Sequence, residues 1–194
     1  MTIVSAIVDG SVCIFMSDSG SFCEETVSLR SNGKLFKKYV EGAGECLLGF
    51  AGLFAIGQWI KHIDFPECID SKTFEQYLVL VLQPFLMRSI SKRWKRKDKE
   101  YVDVLDFTVL LGFQGCLYTL YSNGDVERAQ AHEGMLCFAS IGSGGEACNA
   151  AMFALQRYSA LPTSWEIIEA GLENAEQTTV HVKKPFITEI LYSF

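Results

Sequence analysis

The sequence predicts an α+β fold, a four-layer αββα sandwich in which two β-sheets face each other and helices cover both outer faces. Three observations predict it. The chain of 194 residues begins with strand-like hairpins and continues with two helical segments. Hairpins then return, followed by two more helical segments and closing strands. Two pairs of helices can cover the outer faces of two packed sheets, and the length suits a single domain spanning residues 1–194.

The first two strands are predicted to form a hairpin. Residues 2–8 are rich in β-branched side chains, and Asp9-Gly10 is a strong hairpin turn signal. Residues 12–17 return as the second strand. Asp18 then lies at the strand end, where a loop begins.

The middle of the chain changes from strand to helix. Residues 34–40 and 45–50 form a second predicted hairpin around a glycine-rich turn. From about Ala51 onward, apolar residues recur at the spacing of one helix face, and Pro66 ends or follows that helix. A second helix is predicted over residues 72–96.

The second half repeats this order. Strands are predicted in residues 107–113, 116–121, 126–129 and 136–141. Helices are predicted after Gly142-Ser143-Gly144-Gly145 and from residues 162–164. Strands at residues 180–182 and 186–191 close the chain.

Composition excludes several classes of protein. The net charge of −6 does not favour nucleic acid as a partner. Seven cysteines, an odd number without a close C-x-x-C pair, favour buried free thiols over a disulfide framework or a zinc site. His62, His132 and His181 show no metal-ligand spacing, so we expect no metal and no cofactor. Without a signal peptide or a membrane-spanning run, we expect a cytoplasmic protein.

A basic run in residues 92–99 has two interpretations. The ordinary interpretation is a solvated helix end and loop. The alternative is a docking patch for an acidic partner or nucleic acid.

Three residues suggest nucleophilic chemistry. Asp18 follows Thr2 by sixteen residues, and Lys34 follows Asp18 by sixteen more, so the predicted hairpins could bring all three to one end of a sheet. A free α-amine, with a pKa near 7.7–8.0, could accept the threonine hydroxyl proton. A nearby lysine ammonium favours loss of that proton, and an aspartate would hold the lysine in place. A strand-end aspartate and a surface lysine are the ordinary interpretation of the same residues.

Several short segments resemble proteasome β-subunits and HslV, the bacterial proteasome-like peptidase. They are Thr2-Ile3-Val4-Ser5, Asn32-Gly33-Lys34-Leu35-Phe36, Gly49-Phe50-Ala51-Gly52, Ile141-Gly142-Ser143-Gly144-Gly145 and residues 186–191. They occur in the family's order, and the long insert before the third hairpin also resembles the β-proteobacterial proteasome homologues. The chain is thereby similar to the N-terminal nucleophile (Ntn) hydrolases of threonine type.

The resemblance implies a role for each matching residue. Thr2 would be the nucleophile after removal of Met1, Lys34 the ammonium that tunes it and Asp18 the partner of Lys34. Gly49 would supply an oxyanion N–H, and Ser143 would hydrogen-bond near the Thr2 amine. The pocket for the side chain before the cleaved bond would be small and mostly apolar, lined by Ser21, Asn32, Leu47 and Ala51.

The resemblance also implies partners. The expected assembly is a homo-oligomeric ring, with stacked rings and polypeptide substrates that arrive unfolded. An unfoldase ATPase is the implied partner in HslV-like systems. Neither nucleic acid nor a membrane is expected as a partner.

The N-terminus departs from the HslV pattern, which has two threonines after its methionine. A strict alignment of Ile3-Val4-Ser5 puts Met1 at the catalytic position and needs one extra residue before Asp18. An alignment that starts from Thr2 needs no gap as far as Lys34 but shifts the first strand by one residue, which exchanges its faces. The region 173–179 also lacks the acid-then-serine signature of proteasome β-subunits.

Two further functions stay open on this sequence. One is a catalytically inactive ring or interaction protein that retains Met1. The other is an Ntn hydrolase that acts on a small amide rather than on a polypeptide.

Overall fold

The computed structural model describes residues 2–10, 12–23, 26–29, 33–67, 70–93, 106–130, 136–158 and 162–192, of which 20–23, 26–29 and 91–93 are described by their backbone. The strands are β1 Ile3–Asp9, β2 Val12–Asp18, β3 Gly20–Cys23, β4 Thr26–Leu29, β5 Leu35–Val40, β6 Gly44–Gly52, β7 Phe107–Phe113, β8 Cys116–Tyr121, β9 Val126–Gln130, β10 Cys137–Gly142 and β11 Phe186–Tyr192. The helices are α1 Phe54–His62, α2 Ser71–Tyr77, α3 Gln83–Arg93, α4 Gly145–Tyr158 and α5 Ser164–Thr178, and a π-helical turn, Leu78–Leu82, joins α2 to α3.

Two antiparallel sheets form the centre of the molecule. One sheet has four strands in the order β10-β1-β2-β11, and the other has five in the order β5-β6-β7-β8-β9. A separate two-stranded ribbon pairs β3 with β4. Helices α1 to α3 follow β6 and cover the five-stranded sheet, while α4 and α5 cover the four-stranded sheet. The predicted αββα sandwich is confirmed.

Three apolar clusters separate the four layers. The middle cluster, between the sheets, includes Val4 and Phe15 of one sheet and Leu110 of the other. The outer clusters lie beneath α1–α3 and beneath α4–α5. Strand β1 contributes to two clusters, because Val4 faces the opposite sheet while Ile3 faces the helices. Burial of both faces accounts for the nearly continuous apolar run in this strand.

Several sequence predictions need correction. Residues 180–182 are a turn and not a strand, since the Val182 N–H bonds back to the Thr179 carbonyl at 3.3 Å. Ala51 lies in β6, and α1 begins only at Phe54. In place of one predicted helix over residues 72–96, the structure has α2, the π-helical turn and α3, which is described as far as Arg93. Most of the basic run, residues 94–99, lies outside the described residues.

The cysteines whose side chains the structure describes are free and buried: Cys13, Cys46, Cys116, Cys137 and Cys148. Burial raises the pKa of the Cys13 thiol to about 12, which makes it a poor nucleophile at neutral pH. Among the described residues, no helix is both long and apolar enough to cross a bilayer.

Candidate active site

One carboxylate oxygen collects three hydrogen-bond donors at one end of the sandwich. Asp18 Oδ1 accepts a hydrogen bond from the Thr2 hydroxyl at 2.7 Å and one from the Ile3 N–H at 2.9 Å. Lys34 Nζ lies 2.5 Å from the same oxygen. The structure therefore brings together the three residues that the sequence singled out for nucleophilic chemistry.

The strand pairing explains why these residues meet. The hairpin of β1 and β2 is in continuous register from Asp9 opposite Val12 to Val4 opposite Ser17, so the start of β1 lies beside the end of β2. Thr2 comes just before β1, and Asp18 is the last residue of β2. The Thr2 hydroxyl therefore reaches the Asp18 carboxylate, as the alignment that starts from Thr2 requires. Met1 lies outside the described residues.

Lys34 reaches this point from the opposite sheet. It comes just before β5, one of the two edge strands of the five-stranded sheet, and its ammonium crosses to Asp18 in the four-stranded sheet. The Lys34–Asp18 ion pair therefore ties the two sheets together at the same end as Thr2.

The three side chains are shielded from water. Thr2 and Lys34 are each 8% exposed, and Asp18 is completely buried. Burial lowers the pKa of Lys34, and the charge of Asp18 partly opposes that shift. Asp18 Oδ2 is buried without a hydrogen-bond partner among the described residues, so this carboxylate keeps one acceptor for a further donor.

The turn after β10 holds the carbonyl side of Thr2. The Ser143 N–H donates to the Thr2 carbonyl at 3.0 Å, and the Ser143 hydroxyl lies 3.5 Å from the same oxygen. Gly142 has a φ of +95°, and a Cβ there would lie only 2.0 Å from the Thr2 carbonyl oxygen. Glycine is therefore required for the turn to approach Thr2 this closely. Both of these Ser143 contacts are to the Thr2 carbonyl, whereas the resemblance implied a contact near the amine.

Gly49 lies where the two sheets approach each other closely, near the start of β1. It sits in β6 opposite Leu35, and a Cβ there would be 2.5 Å from Cγ1 of Val4 and 2.9 Å from Cδ2 of Leu35. Val4 is two residues beyond Thr2. The proximity is compatible with the predicted oxyanion role of Gly49, which stays a prediction.

The predicted pocket residues are described only in part. Leu47 is completely buried and Ala51 is 4% exposed, and both belong to the middle apolar cluster. The Ala51 Cβ is 3.3 Å from the position that a Gly142 Cβ would occupy, which puts Ala51 beside the Thr2 turn. Ser21 is described by its backbone in β3, and Asn32 lies outside the described residues.

Two serines that flank the central aspartate were not predicted as site residues. Ser17 and Ser19 are buried, and their hydroxyls have no partner within the described parts of the chain. No signal in the sequence marked their burial, because serine and aspartate are ordinary residues where a strand ends and a loop begins. Within the same described ranges, no group of histidine, cysteine or acidic side chains is arranged to hold a metal ion.

Solved structures share this architecture over nearly the whole chain. One is BPH of Thiobacillus denitrificans, a proteasome-like β-subunit, solved in complex with epoxomicin. It superposes with a TM-score of 0.73 at 15% identity, covering 100% of both chains. HslV of Trypanosoma brucei gives 0.64 at 18% identity, covering 98% of this chain and 99% of its own. Anbu of Pseudomonas aeruginosa, solved as a helical assembly, gives 0.66 at 17% identity, covering 98% and 81%.

These likenesses establish the fold, a proteasome/HslV-like Ntn-hydrolase fold. No protein-family model matches the chain, and no curated protein matches it in sequence.

Proposed function

From this proteasome-like fold, we propose that the chain is a threonine-type endopeptidase subunit whose nucleophile is the Thr2 hydroxyl once Met1 has been removed. One observation carries the proposal: the Thr2 hydroxyl lies 2.7 Å from Asp18 Oδ1, with Lys34 Nζ on the same oxygen. The ammonium beside the hydroxyl favours loss of its proton during attack on a carbonyl carbon, and the carboxylate holds both groups in place.

The proton would move to the α-amine of Thr2. A free α-amine has a pKa near 7.7–8.0, so a large share is neutral at pH 7.5 and can accept the hydroxyl proton directly or through one water. The Lys34 charge favours the deprotonated form of the hydroxyl. Asp18 orients both the hydroxyl and the ammonium, through bonds to one oxygen.

Attack by Thr2 Oγ1 forms a C–O bond and moves the carbonyl electron pair onto the substrate oxygen. In the proposal, the Gly49 N–H stabilises this oxyanion, and Ser143 positions Thr2 by holding its carbonyl. The α-ammonium then gives its proton to the leaving nitrogen as the C–N bond breaks. Water hydrolyses the resulting ester on Thr2 and regenerates the hydroxyl and amine.

The substrate would be a polypeptide with a small apolar residue before the cleaved bond. Leu47 and Ala51 are apolar and lie among the residues between the sheets. With Ser21 and Asn32 they form the pocket that we propose. A short pocket of this kind limits side-chain size more than it selects a chemical group.

The direct test is hydrolysis of a fluorogenic tetrapeptide amide that carries alanine or valine before the reporter. Protein that has lost Met1, established by intact mass, should turn over the peptide, and Thr2→Ala should not. Thr178→Ala, an exposed threonine in α5, is the matched control and should keep full activity. Equal turnover by the wild type and Thr2→Ala would refute the proposal.

We also propose a homo-oligomeric, closed assembly. Large apolar side chains are exposed on two helical surfaces of the single chain: Val79, Leu80, Val81, Phe85, Phe153, Tyr158 and Trp165. Exposed apolar surface of this kind is typical of protein interfaces. If the assembly is closed, folded substrates need an unfoldase ATPase to enter it. Native mass spectrometry should give a multiple of the subunit mass, and a monomer would contradict the assembly.

A second candidate function is a non-catalytic ring or interaction protein. The bonds from Thr2 and Ile3 to Asp18 would anchor β1 equally well if Met1 stayed attached. Cellular protein that retains Met1 and shows no peptide hydrolysis would favour this function over the peptidase.

A further inference from the structure

The two sheets leave a slot open along one side of the sandwich. Within the described residues, β10 pairs only with β1 and β9 pairs only with β8, so each is the edge strand of its sheet. A cavity of about 390 Å³ lies between β10 and the β8–β9 pair, with α4 beside it. Its volume is in the range of ligand sites.

The slot follows the backbone of β10 and not one of its faces. Four consecutive residues, 138–141, line the cavity. Successive side chains of a strand point to opposite faces, so a cavity on one face would contact only alternate residues. The opposite wall is the inner face of β8 and β9, where Leu117 and Thr119 lie opposite Ala129 and Glu127. The slot therefore runs between that face and the edge of β10, where backbone N–H and C=O groups point outward.

A side chain of α4 lies at this edge with an unused acceptor. Asn149 lines the slot, and its Nδ2 donates to the Ser140 carbonyl over a long 3.5 Å. Its Oδ1 is buried and has no partner among the residues that the structure describes. The bond from Nδ2 shows that the Ser140 carbonyl points outward from the edge of β10, toward α4.

The charge at the slot favours a cationic ligand. Glu127 lines it, with its carboxylate accepting from the Tyr121 hydroxyl at 2.8 Å. Arg128 also borders the cavity, but its guanidinium pairs with Glu75 of α2 at 3.1 Å, on the outer face of the five-stranded sheet. The carboxylate of Glu127 therefore faces the slot without a cation from Arg128.

We propose that this slot binds an extended polypeptide segment that carries a lysine or arginine and adds as a strand along β10. Four residues of strand span about 13 Å, which matches the four residues of β10 that line the cavity. The basic side chain would pair with Glu127, and the backbone of the segment would bond to outward N–H and C=O groups of β10. The binding goes beyond the proposed peptidase activity and does not depend on Thr2.

The test is fluorescence anisotropy with a labelled, capped hexapeptide of alternating valine and lysine, titrated with the full-length chain. Thr2→Ala protein is used in every arm, so that hydrolysis cannot be mistaken for release. Ala129→Trp fills the slot from an exposed position and should weaken binding by about tenfold or more. Gln130→Trp, the exposed neighbour that does not line the slot, should leave binding unchanged.

Two further arms test the mode of binding. Two hexapeptides are each N-methylated at one of the two alternate sets of residues. The peptide methylated on the set that faces β10 should bind far more weakly than the other, because strand addition needs backbone donors. Glu127→Gln should weaken binding by about two- to fivefold, while Asp125→Asn, in the turn before β9, should not.

Three outcomes would overturn the proposal. They are no saturable binding to the unsubstituted slot, equal binding by the Ala129→Trp protein, and equal binding by both N-methylated peptides. A change in oligomer mass for Ala129→Trp without any peptide binding would instead assign the slot to a second copy of the chain, and would also overturn it.

Discussion

Lys34 crosses from one sheet to the other to place its ammonium 2.5 Å from Asp18 Oδ1. Both residues are nearly or completely buried, and the Thr2 hydroxyl bonds to the same oxygen. The ion pair is therefore a structural link between the sheets as well as a part of the candidate active site. Its two roles can be separated by stability and activity measurements.

Replacing Asp18 by asparagine should destabilise the fold strongly. The change removes the Asp18 charge from the buried Lys34 ammonium, and breaking a buried pair this way typically costs about 3–5 kcal/mol. Glu173→Gln is the matched control, since Lys184 and Glu173 pair at 2.9 Å with both side chains about half exposed. Water screens that pair, so its loss should cost much less. Urea unfolding of both variants measures the difference, and equal costs would contradict the buried-pair interpretation.

The stability contributed by Lys34 should rise with pH in the alkaline range. Burial lowers its pKa below the usual 10.5, so between the lowered pKa and 10.5 the unfolded chain binds more protons than the folded chain. Stability therefore increases with pH across that window and becomes flat above it.

The measurement compares the free energy of unfolding of the wild type and Lys34→Met from pH 8 to 10.5. Subtraction removes the titration of the tyrosines and other lysines, which both proteins share. The free energy of unfolding of the wild type should increase relative to that of the variant as pH rises. A difference that stays constant or shrinks would show that the pKa of Lys34 is not lowered.

Gly142→Ala should damage the site more than an equally strained glycine elsewhere. Gly124 has a φ of +103°, and no described atom lies within 4 Å of the position that its Cβ would take, so Gly124→Ala tests backbone strain alone. Gly142→Ala adds a collision with the Thr2 carbonyl oxygen, which should cost about 1–3 kcal/mol more. Thermal unfolding measures both, and peptide hydrolysis should fall only in Gly142→Ala. Similar effects of the two changes would contradict the close approach at Thr2.

Gly49→Ala should be rescued by a second substitution. A Cβ at residue 49 would lie 2.5 Å from Val4 Cγ1, and overpacking of this kind costs about 1–3 kcal/mol. Val4→Ala alone leaves a cavity and is also destabilising. Because the new methyl group fills part of that cavity, the double variant should be more stable than the sum of the single effects by about 1 kcal/mol. Additive effects in a double-mutant cycle would show that Gly49 does not contact Val4.

The turn chemistry made much of the fold predictable. The Asp9-Gly10 turn and the glycines before β6 marked hairpins that the structure contains as β1–β2 and β5–β6. The ribbon of β3 and β4 was missed, because residues 20–29 have neither a clear apolar alternation nor a two-residue turn signal. The π-helical turn Leu78–Leu82 was also missed, since its apolar spacing is close to that of an ordinary helix.

The candidate site was predictable in its members but not in its contacts. The equal spacing of Thr2, Asp18 and Lys34 predicted that they lie at one end of a sheet. It did not show that all three meet at one oxygen. The bond from Ser143 to the Thr2 carbonyl depends on the positive φ of Gly142, which the sequence allows but does not specify. The burial of Ser17 and Ser19 depends on strand β11 and the chain before it, far away in sequence.

The bonds that hold the start of β1 bear on when the proposed removal of Met1 could take place. Ser143 binds the carbonyl of Thr2, and Asp18 binds its hydroxyl and the N–H of Ile3. None of these bonds uses the nitrogen of Thr2, which would become the free α-amine if Met1 were removed as proposed. All three bonds can therefore be present both before and after that removal.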